Sequence, residues 1–283
     1  LDELAQTLAA TVAEEQGILA RHLSQPAGRR QRTPLGAYEA ILRYYHHEMT
    51  PSGSTHREAL AALRHVADLE PNNALAWSLL ARLYAGNYAM ELAGDDTPLA
   101  DALEFAQKGV RLEPADQRTR STLAYVHLVN DEVAEGRREI EAALDLNPHS
   151  LFFLDGIGYL LTLLGDWERG PVLSKKAVCL NPYHRRVAHG ALWLDALRRR
   201  DYDSAYYEAK EYTLGNFWRP LMRATALAHL GRMKKARTEV EQVLLMRPNF
   251  RQRGHWFITR YVKSEELVER ITEGLQKAGL RLV

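Results

Sequence analysis

The chain has 283 residues, 46% of them hydrophobic, and its 37 Lys and Arg residues almost balance 36 Asp and Glu residues, for a net charge of +1. This balance creates no global field that would draw the chain onto nucleic acid or an anionic membrane, so we predict neither as a direct partner of this region. Because Cys179 is the single cysteine, an intramolecular disulfide and a cysteine-based zinc site are excluded.

No stretch approaches the roughly 20 uninterrupted apolar residues that a membrane-spanning helix needs, so we predict no membrane span in this fragment. We expect a cytoplasmic location from the single cysteine and the absence of a secretory leader, although the sequence leaves the periplasm open.

Residues 1–33 are predicted to form a leader helix and a basic linker. Apolar residues recur at helical spacing over residues 1–23. Residues 25–34 then carry two prolines, a glycine and three arginines, a composition typical of an exposed linker. Since the chain begins with Leu1 rather than Met, we expect this segment to be the tail of a preceding domain.

Residues 34–262 carry an internal repeat. Pro114, Pro148 and Pro182 stand 34 residues apart, and each closes the same kind of amphipathic segment. This period is that of two antiparallel helices with two tight turns. We therefore predict a stack of about six helix pairs, with function on a continuous surface rather than inside one core.

The predicted second helix of each pair carries a small residue at a fixed position, where two helices must approach closely. These small residues are Ala59, Ala102, Gly136, Gly170, Ala205 and Ala236. Proline ends five of these six helices, because the residue before a proline is steered out of the α region. In the fifth repeat Phe217 replaces this proline, and Gly165 and Gly231 are predicted to end first helices in a left-handed conformation.

Residues 263–283 are predicted to form a capping helix. Leu267, Ile271 and Leu275 lie on one stripe, and Gly279 ends the pattern. An open stack of helix pairs needs a terminal helix with one polar face to cover its last apolar surface.

In period, small-residue positions and closing prolines, residues 34–248 resemble the tetratricopeptide repeat family. The resemblance implies an all-α, right-handed superhelical solenoid whose first helices line a concave groove at defined repeat positions. Here those positions are rich in aromatic and arginine side chains, which dominate protein-binding hot spots. The groove residues so implied are Arg82, Arg118, Ser121, Tyr125, Phe152, Asp155, Tyr159, Arg186, His189, Trp193, Trp218, Met222 and Thr225.

A narrower resemblance concerns the two ends of the chain. The leader, the segment PLGAYEAILRYYHH and the ending ELVERITEGLQKAGL resemble the C-terminal region of bacterial signalling proteins. In those proteins, tetratricopeptide repeats follow a TolB-like segment attached to a winged-helix domain or an adenylate or guanylate cyclase. The resemblance implies a regulatory module whose effector domain lies outside these residues.

Residues with catalytic potential are sparse. The sequence has no phosphate-binding loop, no HExxH and no GxSxG, so we predict no catalysis, no cofactor and no metal in this fragment. Adjacent His46 and His47 diverge by about 100° on a helix, and we expect one to pack and the other to be exposed. We expect Cys179 to be a small buried thiol.

Our leading hypothesis is an interaction module that binds a peptide or helix of a partner protein in the groove. It predicts that replacing Trp193 and Tyr159 with alanine leaves melting nearly unchanged. The competing interpretation is that Tyr125, Tyr159 and Trp193 pack between repeats.

Two alternatives to an interaction module are a small-ligand sensor and a structural dimerisation scaffold. The sensor needs a closed pocket of about 300 Å³ or more among Tyr125, Phe152, Tyr159 and His189. The scaffold would use Trp218, Trp256 and Phe257.

Overall fold

The computed structural model describes residues 36–94, 97–146, 154–181 and 184–283, and all regular secondary structure in these ranges is helical. The predicted all-α fold is thereby confirmed. The predicted leader, residues 1–33, lies outside the described residues. The fourteen helices of the described ranges are α1 (Ala37–Met49), α2 (Gly53–Leu69), α3 (Ala74–Met90), α4 (Leu99–Leu112), α5 (Gln117–Val129), α6 (Val133–Leu146), α7 (Leu154–Leu163), α8 (Gly170–Leu180), α9 (Val187–Arg198), α10 (Tyr202–Glu211), α11 (Trp218–His229), α12 (Met233–Met246), α13 (Phe250–Thr259) and α14 (Glu265–Lys277).

Several helices begin at a polar side chain that satisfies an otherwise unpaired backbone N–H group. The side chain of Asn73 accepts a hydrogen bond from the Ala76 amide at 3.0 Å at the start of α3. Asp201 accepts one from the Ser204 amide, also at 3.0 Å, at the start of α10. Such caps fix where each helix starts and so keep the repeats in register.

A first compact unit contains α1–α6. Within it α1 packs on α2, α3 on α4, and α5 on α6, which makes three helix pairs. The second helix of a pair also contacts the next first helix, and α3 contacts α5 directly. The predicted small residues Ala59 and Ala102 are completely buried, as a close helix crossing requires.

A second compact unit contains residues Asp155–Ala177 and Arg185–Val283. Here α9 pairs with α10 and α11 with α12, while α14 packs mainly on α11 and also touches α9 and α13. Phe217, which replaces the proline of the other repeats, is buried against Phe250 and Phe257 with ring centroids 5.6 and 5.2 Å away. Phe217 stands directly before α11, six residues after the end of α10, and forms an aromatic anchor there.

Helices α7 and α8 meet at two glycines. A Cβ atom on Gly158 would lie 2.7 Å from the amide nitrogen of Ser174 and 2.9 Å from the carbonyl oxygen of Gly170. A Cβ atom on Gly170 would lie 2.6 Å from the amide nitrogen of Thr162. Since these neighbours are backbone atoms, only glycine allows the two helices to come this close.

Two predicted glycine turns are present. Gly165, after α7, has a φ of 89°, and Gly231, after α11, has a φ of 72°. Both values lie in the left-handed region, which glycine adopts readily. Arg200 adopts φ of 60° at the turn between α9 and α10, where the repeat lacks a glycine.

Candidate functional site

The structure places the predicted groove residues in different environments. Phe152 lies outside the described residues. Arg82, Arg118, Tyr159 and Arg186 are partly exposed. The remaining predicted groove residues are buried, namely Ser121, Tyr125, Asp155, His189, Trp193, Trp218, Met222 and Thr225. Trp193 is only 1% exposed, so it contributes to packing as the competing interpretation proposes.

In the first unit, one side chain from each of three successive first helices forms a continuous row. Arg82 of α3 donates from Nε to the hydroxyl group of Tyr44 on α1, at 2.9 Å. The guanidinium group of Arg82 also lies over the ring of Tyr125 on α5, 5.0 Å from its centroid. The row cross-links α1, α3 and α5, so Arg82 has a structural role whether or not it also contacts a partner. The sequence prediction missed Tyr44.

Two polar groove residues of the second unit form hydrogen bonds inside the unit. Asp155 accepts hydrogen bonds from the backbone amide, Nε and Nη2 of Arg185, at 2.8, 2.9 and 2.6 Å. His189 donates from Nδ1 to the carboxylate of Glu208 on α10, at 2.7 Å. Both side chains hold elements of the unit together, which corrects the expectation that they line the groove as exposed recognition groups.

Four predicted groove residues do come together, around a small aromatic cleft in the second unit. The cleft has a volume of about 20 Å³, enough for a single water-sized group. Its walls are Tyr159, Leu163, Gly190, Trp193, Leu194, Tyr212, Trp218, Met222, Tyr261 and Val262. Five of these ten residues are Tyr or Trp, so the cleft is a largely apolar surface with few polar atoms.

A glycine and an indole give the cleft its character. A Cβ atom on Gly190 would lie 3.2 Å from the ring of Tyr159 and 3.6 Å from that of Tyr212, so glycine lets both rings close around it. The indole Nε1 of Trp193 is buried and donates to no atom of the described residues. A buried donor without an acceptor is energetically costly.

Sequence reasoning missed the other six residues of the cleft, namely Leu163, Gly190, Leu194, Tyr212, Tyr261 and Val262. Tyr212, Tyr261 and Val262 lie between helices, where the 34-residue pattern assigns no groove position. Gly190 offered a signal, because a glycine inside an apolar helix marks a close approach. It stands three residues before Trp193, on the same face of α9.

The last described helix covers part of the predicted groove. A Cβ atom on Gly274 of α14 would lie only 3.0 Å from the Thr225 methyl group of α11. His229 of α11 donates from Nε2 to the carbonyl oxygen of Arg270, at 2.9 Å. Thr225, expected in an open groove, is thus covered by the chain itself.

The half-buried His229 makes this packing sensitive to pH. Its ring stacks on Tyr202, with centroids 4.5 Å apart. Burial lowers the pKa of His229 below its ordinary value of 6.5, and nearby Lys277 and Arg270 act in the same direction, against Glu273 and the hydrogen bond to Arg270. The unfolded chain therefore binds the proton more readily, so this contribution to stability is complete above pH 6.5 and is lost as the pH falls towards the lower folded pKa.

We expect the urea midpoint of the protein to fall between pH 7.5 and pH 5.5, and to fall less in His229→Gln, which retains a donor for the Arg270 carbonyl. Urea titrations followed by circular dichroism at both pH values measure the effect. Some slope remains in the variant because burial also lowers the pKa of His47 in the first unit. His255→Gln, at an exposed histidine, is the control, and an equal reduction there would contradict the assignment.

Other polar groups give no sign of a metal centre within the described residues, which contain no group of three or more His, Cys, Asp or Glu arranged around a common point. His47 is buried with Nδ1 3.0 Å from the Thr55 hydroxyl, whereas His46 is partly exposed. Cys179 is exposed, which corrects the expectation of a buried thiol. None of the described helices is long and apolar enough to cross a membrane.

Comparisons with known proteins find similarity at the level of structure. No protein-family model matches the sequence, and no curated protein matches it. The human IFIT1 dimer with PPP-AAAA is similar with a TM-score of 0.63 and 18% identity, over 94% of this chain and 64% of that one. The APC/C hetero-tetramer Cut9–Hcn1 gives 0.58 and 13%, over 97% of this chain and 49% of that one.

A tetratricopeptide repeat protein from Parabacteroides merdae gives a TM-score of 0.45 and 16% identity, over 86% of this chain and 91% of that one. The chain thus spans less than two thirds of the length of the IFIT1 and Cut9–Hcn1 chains it matches. At these identities the likeness to the IFIT1 and Cut9–Hcn1 chains shows a common fold and no more.

Proposed function

We propose that this chain, whose helix pairs have the fold of tetratricopeptide repeat proteins, is a protein-interaction module that holds a segment of a partner protein at the aromatic cleft of its second unit. The observation that carries the proposal is the buried Trp193 N–H group, which has no acceptor among the described residues beside a cleft walled by aromatic rings. Aromatic walls with few polar atoms are typical of the centre of a binding hot spot.

The size of the cleft indicates what it accepts. About 20 Å³ accommodates one oxygen atom or methyl group, not a whole metabolite. We therefore favour a backbone carbonyl or a Ser or Thr hydroxyl of the partner, which accepts from Trp193 while neighbouring partner atoms lie on Tyr159. The volume of this cleft is far below the roughly 300 Å³ that a small-ligand pocket requires. The pocket predicted for the sensor alternative includes Phe152, which lies outside the described residues.

Two of the three residues expected to form a dimer interface, Trp218 and Phe257, are buried within the second unit. Phe257 is completely buried and Trp218 is 8% exposed, both within the second unit, so only Trp256 stays accessible for a second copy. A homodimer built through other surfaces stays compatible with the proposal.

The wider setting of the module is part of the same proposal. We place it in the cytoplasm as the regulatory part of a larger bacterial signalling or transcription-regulating protein, on the strength of the motifs at its two ends. In this role the module binds without catalysis, without a cofactor and without direct contact to nucleic acid.

The proposal is tested with a random-peptide phage library panned on the folded protein. Trp193→Phe removes the N–H donor with a small loss of volume, and we expect about tenfold weaker binding of the selected peptides, the typical effect of one hydrogen bond. Tyr159→Ala should weaken binding further because it removes one wall. Tyr207→Ala is the matched control, since Tyr207 is exposed and lies outside the cleft. Unchanged binding of every selected peptide to Trp193→Phe would overturn the proposal.

A further inference from the structure

Helix α14 lies on the first helices of the second unit instead of extending the stack of pairs. It packs mainly on α11, and it touches α9 and the preceding helix α13 to a similar, smaller extent. Its apolar stripe is buried there, with Leu267, Ile271 and Leu275 almost inaccessible to solvent. The face of α9 and α11 that contacts α14, called their inner face below, is therefore a surface that receives a helix.

Arg270 fixes the position of α14 on this surface. Its Nη1 donates to the carbonyl oxygens of Leu197 and Arg198, at 2.6 and 3.0 Å, and its Nη2 pairs with Glu266. Those carbonyls belong to the C-terminal end of α9, where a positive charge is favourable. The Leu197 carbonyl also accepts from the Arg200 amide, at 3.0 Å. The arginine is 6% exposed, so this contact is shielded from water.

Gly274 allows the close approach one turn further along α14. A Cβ atom on Gly274 would lie 3.0 Å from Cγ2 and 3.1 Å from Cα of Thr225, and 3.2 Å from the ring of His229. A helix that docks here must therefore carry a small residue opposite Thr225. It must also carry an arginine four residues earlier, to reach the end of α9.

We infer that the inner face of α9 and α11 is a binding surface for an amphipathic helix of a partner protein, and that α14 occupies this surface within the chain until such a helix replaces it. The partner helix has the chemistry of α14: aliphatic residues four apart at three positions, an arginine one position before the second and a small residue one position before the third. The inference rests on the proposed interaction role but concerns a different surface from the cleft.

Exchange of one helix for another is favoured by the nature of these contacts. A partner helix with the same pattern satisfies the Leu197 and Arg198 carbonyls and covers the same apolar surface, so no buried group is left without a partner. A single buried arginine also selects for one register, because a shifted helix would leave it unpaired. Helix α14 has its main contact with α11 and smaller ones with α9 and α13, so a competing helix needs to match chiefly the surface of α11.

The test uses a fluorescein-labelled peptide of residues 263–283 as the probe and the full chain as the receptor. Two substitutions release α14 by different means. Arg270→Ala removes the bonds to α9, whereas Gly274→Ala favours the helix itself but places a methyl group against Thr225. We expect amide hydrogen exchange in α14 to become at least tenfold faster in both variants, with α9–α12 unchanged. Both variants should bind the peptide at least tenfold more tightly than the unsubstituted chain, as measured by fluorescence anisotropy.

Three controls show whether the peptide binds through the surface that α14 covers and not through the cleft. Lys277→Ala, on the exposed side of α14, should change neither exchange nor binding. A peptide carrying Arg270→Ala should bind the released chains at least tenfold more weakly. Trp193→Phe should leave binding of the 263–283 peptide unchanged, so failure of the cleft proposal would not affect this result.

Two outcomes would overturn the inference. In the first, α14 is released but the peptide does not bind either variant. In the second, exchange in α14 stays slow, or the whole second unit loses its helical signal in both variants, because α14 would then be an inseparable part of the fold.

Discussion

Replacing Gly158 with alanine is expected to lower the free energy of unfolding by about 3 kcal/mol, the upper part of the range for overpacking at a close contact. The added Cβ atom would meet backbone atoms of Ser174 and Gly170 at 2.7 and 2.9 Å. Because backbone cannot rotate away as a side chain does, α7 and α8 must separate. Urea unfolding monitored by circular dichroism measures the loss.

Gly86→Ala is the matched control. Gly86 also lies within a helix, α3, but a Cβ atom there would meet only the Tyr125 hydroxyl, at an ordinary distance of 3.7 Å. Because alanine is the better helix former, this substitution should raise stability by about 0.5–1 kcal/mol. Effects of the same sign and size at both glycines would contradict the close crossing of α7 and α8.

Trp193→Ala should lower the free energy of unfolding by about 3–5 kcal/mol, the usual cost of deleting a fully buried large aromatic side chain. Trp193 is 1% exposed and is among the largest completely buried side chains of the described residues. This result would reverse the expectation from sequence that the indole can be removed with little change in melting. Thermal and urea unfolding of both proteins provide the measurement.

Trp193→Phe and Tyr159→Ala complete this series. Phenylalanine fills most of the space and discards an N–H group that has no acceptor among the described residues, so its cost should stay below about 1.5 kcal/mol. Tyr159 is partly exposed, and its loss should cost less than that of Trp193. If Trp193→Ala melts like the unsubstituted protein, the indole does not belong to the core.

The helix pairs could be predicted because their determinants are local and repeated. Prolines 34 residues apart mark helix ends, and small residues such as Ala102 and Gly170 mark crossings, so the pattern accumulates over many repeats. The same periodicity gave the apolar stripe of α14 correctly. Each of these signals lies within a single repeat, and its recurrence in the next repeats confirms it.

The arrangement of the site could not be predicted, because it depends on contacts between residues far apart in the chain. Asp155 accepts a hydrogen bond from Arg185, 30 residues away, and Arg270 donates one to the carbonyl of Leu197, 73 residues away. An amphipathic stripe reveals that α14 buries one face but not which surface receives it. Tyr212 and Tyr261 enter the cleft from loops, to which the repeat assigns no position.

The central claim, that a partner's oxygen atom accepts from Trp193 in the aromatic cleft, is tested most directly by the indole N–H resonances of the ¹⁵N-labelled protein. The chain has five tryptophans, and the resonance missing from Trp193→Phe identifies the one of interest. On titration with a peptide selected on the protein, we predict that the Trp193 resonance moves downfield as its hydrogen bond forms and that its exchange with water slows. A peptide that binds while the Trp193 resonance keeps its position and exchange rate would contradict the account.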